Sequence, residues 1–132
     1  MKHIVLYDMD GTLTPPRETM EESLIPVLEK LSEVAEIGIV TGSNYDYLKQ
    51  QVGLLLDHSK IRKKLHLLPC NGTKHYYPPS NNYEEYKLLS EVSMIDQLGR
   101  HKFQQLMLLL IQQQANFSNE RFPLTGHFID YR

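Results

Sequence analysis

Apolar and polar positions along the first half of the chain fall into alternating blocks of two kinds. A short apolar run over residues 3–7 stops at Asp8, as a buried strand does. Leu24, Val27, Leu28, Leu31 and Val34 or Ala35 then recur at helical spacing. Thr19 and Glu22 have the spacing of a capping box. A helix begun at Thr19 would enclose Pro26, at a cost of ~3 kcal/mol, so its start is expected near Glu22 or Ser23. A second apolar run, rich in β-branched residues, occupies 37–40 and stops at Thr41-Gly42-Ser43. A second helix is expected from about 44 to 55, with Tyr45, Leu48 and Val52 on one face. Residues 65–68 read as a third short strand, closed by Pro69. Strand, helix, strand, helix, strand is the signature of an α/β fold with a parallel sheet and crossover helices. Ligands bind such sheets beyond the carboxyl ends of the strands. Asp8, Thr41 and Asn71 each follow a predicted strand and are expected on one rim.

The second half has a different pattern. Residues 76–82, Tyr-Tyr-Pro-Pro-Ser-Asn-Asn, are turn-rich and read as a boundary or hairpin loop, which divides the chain into 1–78 and 79–132. Phe103, Leu106, Met107, Leu110 and Ile111 outline an amphipathic helix from about 101 to 114. A loop over 116–126 precedes an expected strand at 127–131. No internal repeat is seen. That last strand has no sequence partner to close its edge, so the chain is expected to be a fragment of a longer protein.

Composition narrows the functional classes. Sixteen acidic residues against fourteen basic give a formal charge of −2, and no basic run exists to grip nucleic-acid phosphates. The longest apolar run, 106–111, is far short of the ~20 residues of a membrane span. No secretory signal opens the sequence, so a cytoplasmic protein is expected, and the triplets Asn71-Gly72-Thr73 and Asn116-Phe117-Ser118 are expected to match the glycosylation pattern by chance. The single cysteine, Cys70, cannot form an internal disulfide and reads as a structural thiol. Six histidines show no zinc-binding spacing. Lys60, Lys63 and Lys64 read as a solvated loop.

The chemistry concentrates in Asp8-Met9-Asp10-Gly11-Thr12-Leu13-Thr14. Two carboxylates one residue apart, at a strand's end, can face one site if the chain turns sharply after the first. The first can attack phosphorus and form an aspartyl-phosphate. The second can protonate the leaving oxygen and later deprotonate the incoming one. Gly11 permits the turn and the Thr12 hydroxyl can fix it. The two acids repel each other and a phosphate unless a cation intervenes, and Mg²⁺ suits a site of carboxylates, water and phosphate oxygens. An EF-hand loop is excluded, because its twelfth position from Asp8 is Thr19 rather than Glu.

The segment 4–14 resembles the first motif of the haloacid dehalogenase superfamily of phosphotransferases, and 37–43 resembles its second. That resemblance implies a Rossmann-like core followed by the beginning of an α+β cap. It also implies that Thr41, Gly42 and Ser43 hold the transferring phosphoryl through a hydroxyl and backbone N–H groups. A helix starting at Ser43 or Asn44 would aid them. Within the superfamily the chain is most similar to the eukaryotic-type phosphomannomutases. The matching segments are 8–14 with Pro16-Arg17, then 38–44, 68–72 and 128–132. The resemblance implies Asp8 as nucleophile and Asp10 as acid/base, both beside the metal, with Arg17 and Arg132 binding the phosphosugar from the core and cap sides. It further implies a phosphorylated hexose substrate, Mg²⁺, a sugar bisphosphate activator, a place in GDP-mannose synthesis and a homodimer formed through the cap. The chain departs from the family at Thr41, commonly Gly, and at Cys70, commonly Glu. Further metal-binding aspartates of the family lie in a segment later than residue 132. Two other readings share these residues: a phosphosugar phosphatase, with water as acceptor, and a catalytically silent fragment or interaction module.

Overall fold

The computed structural model describes residues 3–118. They fall into two compact units that part between Glu91 and Val92, later in the chain than the turn-rich segment where the sequence suggests a boundary. The expected strand at 127–131 and Arg132 lie outside the described residues.

The first unit is a five-stranded sheet in the order β1 (Ile4–Asp8), β2 (Glu36–Val40), β3 (Leu65–Leu68), β4 (Lys74–Tyr77) and β5 (Lys87–Glu91). The first three strands are parallel, with Asp8 beside Val40 and Val40 beside Leu68. The last two run antiparallel, so the expected parallel sheet is a mixed one. Tyr76 and Tyr77 belong to β4, and the turn-rich segment that follows leads into β5.

One face of the sheet carries the core. Ile37, Ile39, Leu65 and Leu67 are fully buried against Leu28, Leu48, Leu55 and Ile61 from the helices. Those helices are α1 (Ile25–Val34), α2 (Tyr45–Gln51), α3 (Gly53–Asp57) and α4 (Ser59–Arg62). The alternate residues of β1, Ile4 and Leu6, face the other way and are about half exposed, at 47% and 55%. Their side chains, with that of Leu68, close over Gly38, where a Cβ would sit 2.4 Å from Leu6 Cδ2.

Pro26 stands in the first turn of α1, where its missing N–H breaks no helical bond. A short 3-10 turn at Glu22–Leu24 leads into it. The helix expected over 44–55 is two helices. Val52, at φ −106° and ψ 23°, interrupts it, because a β-branched residue followed by Gly53 is a weak helical pair and Val52 is wholly buried in the core. The lysine run is corrected in part: Lys63 is an exposed turn residue, as expected, whereas Lys60 lies in helix α4. Its ammonium pairs with Glu29 of α1 and holds that carboxyl below its usual range. Lys64 Nζ donates to the Ser32 carbonyl, and Arg62 donates to the carbonyls of Leu56 (3.2 Å) and Glu84 (2.8 Å). Cations here fasten α4 to its neighbours by reaching backbone oxygens and one carboxylate, which sequence polarity does not reveal.

The second unit holds α5 (Met94–Leu98) and α6 (Arg100–Phe117), joined at the left-handed Gly99 (φ 76°). The long helix lies where the sequence places it. Its expected packing face is not buried: Leu110 and Ile111 are exposed along with Leu108 and Leu109, while Phe103, Leu106 and Met107 are half-buried.

Candidate active site

The parallel strands bring three chain reversals side by side at their carboxyl ends. The first follows Asp8. Met9 is the pivot of this loop: its side chain is fully buried, and its carbonyl accepts from Leu13 N (3.0 Å), Thr14 N (2.9 Å) and the Thr14 hydroxyl (3.2 Å). Leu13 is buried as well, so the chain dips into the core at Met9 and Leu13 and exposes what lies between. Gly11, at φ 79°, makes the reversal, and its N–H donates to Thr14 O at 2.8 Å. Asp8 and Asp10 flank the buried Met9, and both reach solvent.

Each carboxylate is held by one donor. Thr12 Oγ1 donates to Asp8 Oδ2 at 3.2 Å, which leaves Asp8 Oδ1 without a donor among the described residues. The backbone N–H of Arg17 donates to Asp10 Oδ1 at 3.1 Å. Arg17 adopts φ 61° to do so, a left-handed conformation that costs a non-glycine residue about 1–2 kcal/mol. The guanidinium of Arg17 is exposed, and among the described residues it makes no ion pair with either acid.

The second reversal is Thr41-Gly42-Ser43. Thr41 is buried, and its hydroxyl accepts the N–H of Ser43 at 3.1 Å. That hydroxyl therefore shapes the loop, whereas Gly42 is exposed and Ser43 half-exposed. Helix α2 starts after Asn44, whose side chain accepts the N–H of Tyr47 at 2.9 Å. Tyr45 is pinned by stacking on Tyr76 of β4, with ring centroids 3.9 Å apart, and Lys49 Nζ lies 4.5 Å from its centroid. Burial pushes the Tyr45 hydroxyl up to about 12. Replacing Asn44 by Ala removes the cap and is expected to lower stability by about 1 kcal/mol in urea unfolding, with the Thr12 and Arg17 contacts untouched.

The third reversal is Cys70-Asn71-Gly72, and all three residues are left-handed, at φ 54°, 57° and 78°. Asn71 N–H donates to Thr41 O and Cys70 N–H to Ser43 O, each at 2.8 Å. Asn71 Oδ1 lies so close to Gly42 that a Cβ there would sit 3.2 Å from it. The sequence expectation that Asp8, Thr41 and Asn71 share a rim describes this arrangement. Sequence reading did not foresee the clamp of the third loop on the second, although Asn-Gly is a recognisable turn signal. Cys70 is a buried thiol.

The donor set suits a hard cation, since two solvent-facing carboxylates from one short loop offer oxygen ligands alone. No cluster of three or more His, Cys, Asp or Glu side chains placed to hold a metal occurs among the described residues. No helix among the described residues is long and apolar enough to cross a membrane.

No protein-family model matches the chain. In sequence it is 30% identical over 131 residues to phosphomannomutase 1 of Homo sapiens, across 98% of this chain and 45% of that protein. It is 32% identical over 133 residues to a phosphomannomutase of Schizosaccharomyces pombe, across 99% and 47% respectively. The chain thus spans about half the length of the curated relatives it matches. Among solved structures, an IMP-nucleotidase of Plasmodium falciparum aligns over 87% of this chain and 33% of its own, with TM-score 0.62 and 14% identity. A haloacid dehalogenase-like hydrolase from B. subtilis aligns over 87% and 34%, with TM-score 0.60 and 18% identity. These structures establish the fold, and the sequence relatives are named phosphomannomutases.

Proposed function

We infer that this chain, related in sequence to the phosphomannomutases and built on the haloacid dehalogenase-like fold, belongs to a phosphosugar phosphotransferase. The reaction is the interconversion of mannose 6-phosphate and mannose 1-phosphate, which supplies GDP-mannose synthesis. The observation that carries this reading is the loop after β1, where Asp8 and Asp10 flank a buried Met9 and each is oriented by one hydrogen bond.

Asp8 Oδ1 is the nucleophile. With Oδ2 held by Thr12, it attacks phosphorus, the bond to the sugar oxygen breaks, and an aspartyl-phosphate forms. Asp10, steadied by the Arg17 N–H, gives its proton to the departing oxygen and takes one from the incoming hydroxyl. A sugar bisphosphate fits as activator, because it leaves one phosphoryl on Asp8 and departs as the monophosphate. Gly42 and Ser43 would supply donors to the phosphoryl oxygens, with Thr41 shaping their loop from beneath. Arg17 and Arg132 are the proposed phosphosugar ligands, an arginine fork suiting phosphate oxygens. Asp8 and Asp10 would hold Mg²⁺, which offsets the charge of two acids and a phosphate in one site.

A phosphatase of the same fold would use the same acids with water as acceptor. Phosphorus NMR of the protein with mannose 1-phosphate, Mg²⁺ and a trace of hexose bisphosphate separates the cases. The proposal expects mannose 6-phosphate without inorganic phosphate. Inorganic phosphate without isomerisation would replace the mutase by the phosphatase, and no turnover would favour the silent module.

A further inference from the structure

Away from the rim, the open face of the sheet carries a partly buried polar chain that the phosphoryl chemistry does not use. Glu36 opens β2 and His66 is the second residue of β3, in register with Gly38, so both project to the face opposite the helices. Leu67 pairs with Tyr76 across β3 and β4, which places His75 and Tyr77 on that same face. Glu36 Oε2 lies 2.9 Å from His66 Nε2, and His66 Nδ1 lies 2.8 Å from His75 Nε2. His66 is 4% exposed.

Hydrogen-bond accounting fixes the direction of this chain. An ionised carboxylate only accepts, so His66 Nε2 must donate to Glu36. A neutral His66 then has only a lone pair at Nδ1, so His75 Nε2 must donate to it. One added proton is tolerated. On His75 it sits at Nδ1 and leaves the bond intact; on His66 it requires His75 to present its Nε2 lone pair instead. Two added protons put an N–H on both facing nitrogens, and the bond must part.

The position of the chain gives that event a consequence. Five register pairs join β1 to β2 and four join β2 to β3, whereas Leu67–Tyr76 is the one pair joining β3 to β4. The His66–His75 bond thus bridges the place where the parallel core meets the antiparallel ribbon of β4 and β5. We propose that Glu36, His66 and His75 form an acid-released staple between core and ribbon, closed with at most one proton on the two imidazoles and open with two.

Among the described residues the neighbours supply no competing anion. Ile4 of β1 stands beside Glu36, and exposed His3 meets Glu36 through its backbone carbonyl, which accepts the Glu36 N–H at 2.9 Å. The Tyr77 ring meets His66 edge-on at 5.1 Å. Across β5, Ser90 is opposite His75 and Lys87 opposite Tyr77. Lys74 and Glu91 are committed to each other at 3.2 Å, and α1 to α4 pack on the other face. Burial, and then the nearby His66, lower the affinity of His75 for a proton relative to its ordinary value of 6.5. The unfolded chain therefore binds this proton more readily. Stability linked to this proton is present above pH 6.5 and is lost as pH falls from there through the lowered folded value, and the bond itself parts only once His66 is protonated as well.

The test uses the whole chain with ¹⁵N-labelled histidine and amide hydrogen exchange, corrected for intrinsic rates, between pH 8 and pH 5. At pH 8 the expected tautomers are Nε2–H for both His66 and His75. At pH 5 the β3–β4 amides are expected to lose protection about tenfold relative to pH 8, the effect of one hydrogen bond, while β1–β2 amides hold theirs. In His75→Gln, whose amide can donate to His66 Nδ1 without titrating, that loss is expected to vanish, with β1–β2 protection reporting that the variant is folded. A His66 ring found with Nδ1–H at pH 8 overturns the proposal with no variant needed. Equal loss of protection in parent and variant overturns it too.

Discussion

Asp8→Asn is expected to lower phosphoryl transfer from a phosphosugar by about 10⁴-fold or more, the scale on which a covalent nucleophile is missed. The asparagine oxygen can still accept from Thr12, so the contact that orients this side chain at 3.2 Å survives. What is lost is the anionic oxygen proposed to bond phosphorus. Asp10→Asn should be milder, about 10²–10⁴-fold, because it removes proton transfer and weakens the hold on Mg²⁺ but leaves the nucleophile in place. Its effect should also grow with the basicity of the leaving oxygen. Turnover by Asp8→Asn within tenfold of the parent would remove Asp8 from the reaction.

The second large effect concerns the sheet that presents these acids. Ile39 is fully buried at the centre of β2, in register with Tyr7 on one side and Leu67 on the other. Ile39→Ala is expected to cost about 3–4 kcal/mol, combining lost burial with the cavity left behind. That is a large part of the 5–15 kcal/mol typical of a domain. Urea unfolding of the first unit should show a lower midpoint with an unchanged slope. A loss below about 1 kcal/mol would mean that α1 to α4 do not pack on this face as described.

The sequence revealed most where one side chain alone decides the local structure. Each parallel strand ended where its apolar run met Asp8, Thr41 or Pro69, and the wholly buried Ile37, Ile39, Leu65 and Leu67 lie within those runs. Pro26 excluded a helix start at Thr19 and left one near Glu22 or Ser23, where a 3-10 turn leads into α1 at Ile25. The acid pair stood out because it ends an apolar run and is followed at once by the turn residue Gly11. What stayed hidden depends on partners distant in the chain. Strands β4 and β5 stabilise each other across a long loop, and β5 buries none of its side chains, so no hydrophobic period marks it. The break at Val52 reflects a core that accepts Val52 and Leu48 together, which helical spacing alone does not reveal. Lys60 and Lys64 read as solvated until α1 supplied Glu29 and the Ser32 carbonyl. His66 and His75 carry no spacing motif, and only the β3–β4 register brings them together.

The candidate site shows the same division. The rim that gathers Asp8, Thr41 and Asn71 was legible in the sequence, but the contacts that shape it were not. Thr41 acts beneath its loop, accepting from Ser43. Arg17 meets Asp10 with its backbone N–H, a contact any residue able to adopt φ 61° could supply. Three consecutive left-handed residues, 70–72, lock the second loop through two backbone bonds.

The most direct test of the central claim is to find where the phosphoryl group goes. The protein is mixed with hexose bisphosphate and Mg²⁺, quenched in acid within milliseconds, reduced with borohydride to mark acyl-phosphates, and mapped by mass spectrometry. The account predicts a marked residue at Asp8 and none at Asp10. A mark at any other residue, or turnover of the sugar with no mark at Asp8, would contradict it.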